Sequence, residues 1–153
     1  MNRWMGLALG GVLILGSLGG GAVRAYAQGD PATQPAQQAA TEWLALVDQA
    51  RYGESYDQAA QSFKVAVGRE EWTQKATAAR AQAGRLVSRR LSRATEMRNP
   101  PHLAPGDYVF IVYQSSFANL KSALETVVPV REKDGKWRVV NYMIRPASAR
   151  PGP

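Results

Sequence analysis

Residues 108–115 read YVFIVYQS. β-Branched and aromatic residues dominate this stretch, and such residues favour an extended strand over a helix. The loop before it, residues 99–107, contains three prolines and a glycine, which mark a turn region. The stretch therefore predicts a β-strand with a defined beginning, and the surrounding sequence can be read outward from it.

Three further strands are predicted around this one. Residues 86–97 alternate between apolar and polar side chains, and residues 122–131 form another extended run after a short turn. Asp134-Gly135 is typical of a type I′ hairpin turn and leads into a strand at residues 137–144. Because the connections are short, these strands should pair as an antiparallel meander.

The chain before residue 86 has helical spacing of its apolar residues. The pattern predicts helices at residues 36–51 and 54–65, and a third that begins after Gly68 and ends at Gly84. Three helices followed by four strands indicate a segregated α+β fold. The helices should pack on one face of the sheet, which leaves the other face in solvent or paired with a second copy in a homodimer.

The first residues have the parts of a secretory signal. A basic residue, an apolar run at residues 7–18 and the cleavage motif Ala25-Tyr26-Ala27 predict a signal peptide at residues 1–27, with a retained N-terminal anchor as the alternative. We then expect a flexible leader at residues 28–38, one α+β domain at residues 39–146 and a disordered tail at residues 147–153. The chain would be periplasmic or secreted.

The charges are unevenly distributed. Loss of Arg3 and Arg24 with the signal peptide changes the formal net charge from +7 to +5. Residues 30–71 are acidic, whereas the segment from Arg80 to Arg98 is strongly basic. This layout suggests a basic surface for an anionic partner of the cell envelope, with a merely solvated face as the alternative. No aromatic residue interleaves the arginines, which disfavours nucleic acid.

Four arginines of the basic segment are candidates for contact with an anion. They are Arg85, Arg89, Arg90 and Arg93. Regular alternation along a strand would place Arg89 and Arg93 on one face and Arg90 on the other. That division argues against a single continuous patch.

A second group of residues is a candidate for the lining of a pocket between the helices and the sheet. Its members are Trp43, Tyr56, Trp72, Tyr113, Gln114 and Glu125. Aromatic residues at helical spacing more often fill a core, so core packing is the favoured interpretation. Glu125 lies among apolar neighbours, where pairing with a lysine or arginine across strands is favoured over a role as a ligand contact.

Reactive groups are scarce in the sequence. The chain has no cysteine, which excludes thiol catalysis and thiolate metal sites, and its stability must come from packing. His102 is the single histidine and lies in the loop near several prolines. We therefore expect no catalytic residues, no metal and no cofactor.

Short motifs along the chain resemble a known family. They include WLALVD at residues 43–48, GDY at 106–108, FAN at 117–119 and DGKWRV at 134–139. Together they resemble the bacterial exported domain of unknown function numbered four thousand and nineteen, over about residues 40–145. The resemblance implies export and no known activity or catalytic residue. The layout is also similar to the cone-shaped fold of the nuclear-transport-factor-two superfamily.

The expectation for function is an exported, non-catalytic domain that acts by binding a partner of unknown identity, for which an envelope protein is one candidate. Two alternatives stay open. One is a small-molecule binder or enzyme that uses a pocket for a small apolar ligand between helices and sheet. The other is a domain that binds an anionic envelope surface through the segment from Arg80 to Arg98.

Overall fold

A computed structural model describes residues 30–148 of the chain. The predicted signal peptide, its cleavage site after Ala27 and the end of the predicted tail lie outside the described residues. Within residues 30–148, no helix is both long enough and apolar enough to cross a bilayer.

Four α-helices precede the strands, where the sequence predicted three. A 3-10 turn, Pro31–Thr33, leads into α1 (Gln34–Asp48), α2 (Tyr52–Asp57), α3 (Gln61–Ala66) and α4 (Arg69–Ala83). The helix expected at residues 54–65 is interrupted because Ala60 has an extended backbone and donates its N–H to the Val139 carbonyl at 2.9 Å. This contact with a strand was not visible in the helical periodicity.

Helix α1 begins inside the segment that was predicted as a flexible leader. The Asp30 side chain caps the preceding turn by accepting a bond from the Ala32 N–H at 3.0 Å. Pro35 lies in the first turn of α1, where a proline is tolerated because that N–H has no helical partner. Thr33 and Ala36 are buried. Residues 31–38 are therefore part of the packed domain, which corrects the predicted leader.

The sheet has the predicted connectivity. Its strands are β1 (Leu86–Arg98), β2 (Asp107–Phe117), β3 (Ala123–Arg131) and β4 (Trp137–Pro146), antiparallel and in the order β1-β2-β3-β4. Val109, Ile111 and Val127 are fully buried on the face that packs against Trp43 and Leu44 of α1. The α+β fold, with helices on one face of a four-stranded meander, is confirmed.

A bulge in β1 corrects the predicted positions of two arginines. Arg89 and Arg93 were expected on one face, but the pairing with β2 shifts at Ser92. The extra residue leaves Arg93 opposite Val112, on the face away from the helices. Arg89 stays on the helix-covered face, whereas Arg93 shares the uncovered face with Arg90.

Candidate functional site

Glu125 is the centre of a buried polar network. Its side chain is 0% exposed, in the middle of β3 beneath the helices. Glu125 Oε2 accepts bonds from Arg89 Nε at 2.6 Å and from Ser115 Oγ at 2.8 Å. Glu125 Oε1 accepts bonds from the Tyr142 hydroxyl at 2.7 Å and from Arg89 Nη2 at 2.9 Å. Protein donors therefore satisfy both oxygens of this carboxylate.

A second carboxylate closes the network. Asp48, at the end of α1, accepts bonds from Arg89 Nη1 at 2.7 Å and Nη2 at 3.0 Å, and from Arg80 Nη2 at 2.9 Å. Two guanidinium groups and two carboxylates thus neutralise one another. Buried charges are tolerated only when they are paired in this way. The network ties α1 and α4 to strands β1 and β3.

Three ionisable groups in and beside the network, Arg89, Tyr142 and Tyr113, have raised pKa values. Burial opposes the charge of Arg89, but hydrogen bonds to Asp48 and Glu125 outweigh it and raise the pKa of this guanidinium. Burial, and then the negative charge of Glu125, raise the pKa of Tyr142 well above its ordinary value. Burial likewise raises the pKa of Tyr113. These three groups stay protonated at neutral pH, which suits a structural role better than proton transfer.

Arg80 is the one member of this network with a buried donor that lacks an acceptor. Its Nη1 atom has no hydrogen-bond partner among the described residues and lies 3.9 Å from Glu125 Oε1, within ion-pair distance only. The guanidinium also lies over the Phe117 ring, 4.9 Å from its centroid. The aromatic face compensates in part for the missing acceptor.

Three of the predicted pocket residues fill the helical core. Trp43 and Trp72 are buried with ring centroids 5.5 Å apart, and Phe63 packs between Trp72 and Tyr56 at centroid distances of 5.2 and 6.2 Å. The two indole N–H groups bond to Ser55, at its carbonyl and its hydroxyl. These aromatic side chains therefore pack against one another, and Ser55 accepts the hydrogen bonds of both indole N–H groups.

The other three pocket candidates lie on opposite faces of the sheet. Tyr113 and Glu125 face the helices, and the Arg89 guanidinium lies 5.9 Å from the centroid of the Tyr113 ring. Gln114 points to the uncovered face, where its Oε1 accepts a bond from Arg90 Nη2 at 2.6 Å. The structure brings Tyr113 and Glu125 together and leaves Gln114 apart from them.

The four anion candidates also divide. Arg89 is occupied by Asp48 and Glu125, as described above. Arg85 lies in the link between α4 and β1, where its Nη1 donates to the Leu86 carbonyl at 3.3 Å. Arg90 and Arg93 are exposed on the uncovered face of the sheet. The segment from Arg80 to Arg98 is thus not one patch.

The sheet face away from the helices, called the open face here, has a distinct composition. Two adjacent rows across the strands hold Arg90, Gln114, Leu124 and Arg145, and then Arg93, Val112, Thr126 and Met143. No carboxylate occupies a strand position of this face within the described chain. At the far end of the sheet, Arg138 pairs with Glu132 and Asp134 of the β3–β4 hairpin. Arg90 and Arg93 lie nearer the opposite end, and neither forms an ion pair with a described carboxylate.

A surface cleft of about 530 Å³ opens at that end of the open face. We call it the serine cleft. Its polar lining comprises Ser88, Arg90, Gln114, Ser116, Lys121 and Ser122. Sequence reasoning missed it because Lys121 looked like an ordinary turn residue and Ser122 like the start of a strand, and no local pattern reveals that the turn lies beside the start of β1.

Metal-binding groups do not gather within residues 30–148. No set of three or more histidine, aspartate or glutamate side chains is placed to hold a metal ion there. His102 has a positive φ of 66° in the loop between β1 and β2 and is exposed.

Comparison with known proteins shows a match to one family model and a distant structural similarity. The search of curated proteins found no match. A 2.5 Å structure from Catenulispora acidiphila is similar at 16% identity and a TM-score of 0.46, over 71% of this chain and 86% of that one. The expected likeness to the nuclear-transport-factor-two superfamily is not confirmed. The profile of the family described as "Protein of unknown function (DUF4019)" matches residues 39–142. The chain therefore belongs to this family.

Proposed function

We propose that the chain is an exported, non-catalytic domain that binds an anionic partner through the open face of its sheet. The observation that carries this proposal is the combination of exposed arginines and missing carboxylates on the strand positions of that face, within the described residues. Arg90 and Arg93 lie there without an ion pair to any described residue. Export is supported by the apolar run at residues 7–18 and the Ala25-Tyr26-Ala27 motif.

Electrostatic complementarity favours an anionic partner over a neutral one. A surface that presents charges of one sign attracts the opposite sign and accelerates encounter. Arg90 and Arg93 are exposed, so they need not give up an internal partner to bind. Arg89, in contrast, would have to leave Glu125 and Asp48, and it is therefore not part of the proposed surface.

The same charges disfavour a homodimer through the open face. Face-to-face stacking of two copies would bring two sets of arginines together without a carboxylate on either face. Like charges brought together in a desolvated interface cost several kcal/mol, on the order of the gain from modest apolar contact. A partner of opposite charge avoids this cost.

Charge reversal on the open face tests the proposal. We expect Arg90→Glu combined with Arg93→Glu to weaken binding of residues 28–153 to fluorescent dextran sulfate by roughly tenfold or more, because two attractions become repulsions. Fluorescence anisotropy at low and at moderate salt measures the affinity. Binding of the unaltered protein should fall steeply with salt because exposed charges are screened.

A second double variant controls for net charge. Arg51→Glu with Lys75→Glu makes the same change in charge at two exposed positions outside the strands, one in the link between α1 and α2 and one in α4. The proposal requires this control to retain most of the affinity. Equal losses in the two double variants would mean that net charge alone drives binding and would reject the open face as the site.

A further inference from the structure

The serine cleft combines two cations with several neutral donors. Arg90 and Lys121 are its two cations, and Ser88, Ser116 and Ser122 line it with neutral hydroxyl groups. Neither cation forms an ion pair with another residue of the described chain. The lining contains no carboxylate. A cleft of this composition is suited to an anion that accepts several hydrogen bonds.

Contacts within the domain hold the cleft walls in place. Gln114 lies directly opposite Arg90 in the sheet, and its carboxamide oxygen engages one N–H of the guanidinium at 2.6 Å. A guanidinium carries five N–H groups, so this bond orients the side chain and uses few of its donors. On the other wall, the Ser122 carbonyl accepts a bond from the Ala147 N–H at 3.0 Å, which ties the β2–β3 turn to the end of β4.

The number and type of donors favour a phosphate group over a carboxylate. A carboxylate presents two oxygens, whereas a phosphate group presents three or four around a tetrahedral centre. Arg90 of β1 and Lys121 of the β2–β3 turn supply two positive charges, and the three serine hydroxyls supply further donors for the remaining oxygens. Arginine and lysine are both common phosphate ligands, the first bidentate and the second as a point charge.

An apolar strip continues from the cleft along the open face. Leu124 lines the cleft itself, and the next row contains Val112 and Met143, the latter 48% exposed. Cations next to exposed apolar side chains are typical of surfaces that meet an anionic lipid interface. A free phosphate ion would use the cleft and leave this strip unoccupied.

We propose that the serine cleft binds the phosphate group of an anionic lipid, with the strip of Leu124, Val112 and Met143 against the apolar part of the lipid surface. This inference rests on the proposed function, since it names the partner of the open face. It adds a defined site, where the proposed function requires only a charged surface. It also separates the cleft residues Arg90 and Lys121 from Arg93, which lies outside the cleft.

Vesicle binding by residues 28–153 tests the site. Co-sedimentation should show binding to phosphatidylglycerol vesicles and none to phosphatidylcholine vesicles. We expect Arg90→Gln with Lys121→Gln to weaken binding by about 25-fold, since each cation near an anionic surface contributes about fivefold. The matched variant Lys133→Gln with Lys136→Gln removes the same charge from two exposed residues of the β3–β4 turn, at the opposite end of the sheet from the cleft, and should lose far less.

A variant that blocks the cleft without a change in charge separates a site from general attraction. Ser88→Trp should fill the cleft and weaken binding to phosphatidylglycerol vesicles about as much as the loss of one cation, with an unchanged circular dichroism spectrum and melting temperature. Unaltered binding by folded Ser88→Trp, or equal losses in the two glutamine double variants, would overturn the cleft while leaving the anionic open face intact.

A soluble competitor identifies the source of the phosphate. Glycerol phosphate should displace the protein from vesicles only at a large excess, because it lacks the apolar part. Displacement at concentrations similar to that of the accessible lipid would overturn the lipid assignment in favour of a free phosphate compound. Absence of binding both to phosphatidylglycerol vesicles and to dextran sulfate would reject the proposed function together with this inference.

Discussion

Tyr142 is the residue whose ionisation is most closely tied to the fold. Its hydroxyl donates to Glu125 Oε1 at 2.7 Å. Burial, and then the neighbouring negative charge, raise its pKa above the ordinary value of 10.0. A tyrosinate at this position would place a second negative charge against Glu125 and lose the donated hydrogen bond. The folded state therefore favours neutral Tyr142.

We predict that Tyr142→Phe lowers stability at neutral pH but makes it less sensitive to alkali. Loss of the hydrogen bond should cost about 1 kcal/mol. Because the folded pKa is raised, the contribution of neutral Tyr142 is complete below the unfolded pKa of about 10 and declines as the pH rises above that value. Urea unfolding followed by tryptophan fluorescence from about pH 7 to 11.5 measures both effects.

Tyr56→Phe is the matched control. The Tyr56 hydroxyl donates to the Lys64 carbonyl at 3.3 Å, and no carboxylate accepts from it within the described structure. This variant should follow the alkaline curve of the unaltered protein. Parallel curves for Tyr142→Phe and the unaltered protein would contradict the role assigned to Tyr142.

The elements differ in how far the sequence alone predicts them. All four strands were predicted within about three residues of their observed ends, because period-two alternation and turn residues are local signals. The break at Ala60 and the bulge at Ser92 depend on contacts with Val139 and with β2, which are distant in sequence. Local patterns therefore missed one helix boundary and the face of Arg93.

The junction between α4 and β1 depends on Gly84. It has a positive φ of 79°, and a Cβ there would lie 3.0 Å from Ala118 Cβ and 3.0 Å from Asn119 Nδ2. The neighbouring backbone is fixed by bonds from Ala118 to Arg85 and from Asn119 to Ala83. This turn thus has little room to move away from an added methyl group.

We predict that Gly84→Ala destabilises the domain by about 2–3 kcal/mol, from the left-handed backbone and the crowding together. Gly135→Ala is the comparison variant, because Gly135 has the same φ of 79° with nothing within 4 Å of the added Cβ. It should cost about 1 kcal/mol. Thermal unfolding by circular dichroism compares the two, and equal losses would show that crowding at Gly84 contributes nothing.

At the scale of the whole molecule, the Glu125 network was partly predictable from the sequence and the serine cleft was not. The sequence singled out Glu125 as a charge among apolar residues, and the fold supplies Arg89, Arg80 and Asp48 from three other elements. The serine cleft was not foreseen because its two cations come from β1 and from the β2–β3 turn, which are distant in sequence and meet only when the meander forms. A site whose residues come from distant segments cannot be recognised from the local sequence. A charged residue among the apolar residues of a strand, such as Glu125, can be.

The Glu125 network predicts a global rather than a local loss of stability. Glu125→Gln leaves Arg89 and Arg80 with one compensating carboxylate, and the loss of one partner from a buried ion pair costs about 3–5 kcal/mol. Since the network joins helices and sheet, tryptophan fluorescence and far-ultraviolet circular dichroism should report one shared unfolding transition in urea.

Glu54→Gln is the control for this prediction. It removes an exposed partner of Arg51 and should change stability little. The losses from Asp48→Asn and Glu125→Gln should not be additive when the two are combined, because both carboxylates bind Arg89; additive losses would contradict a single network.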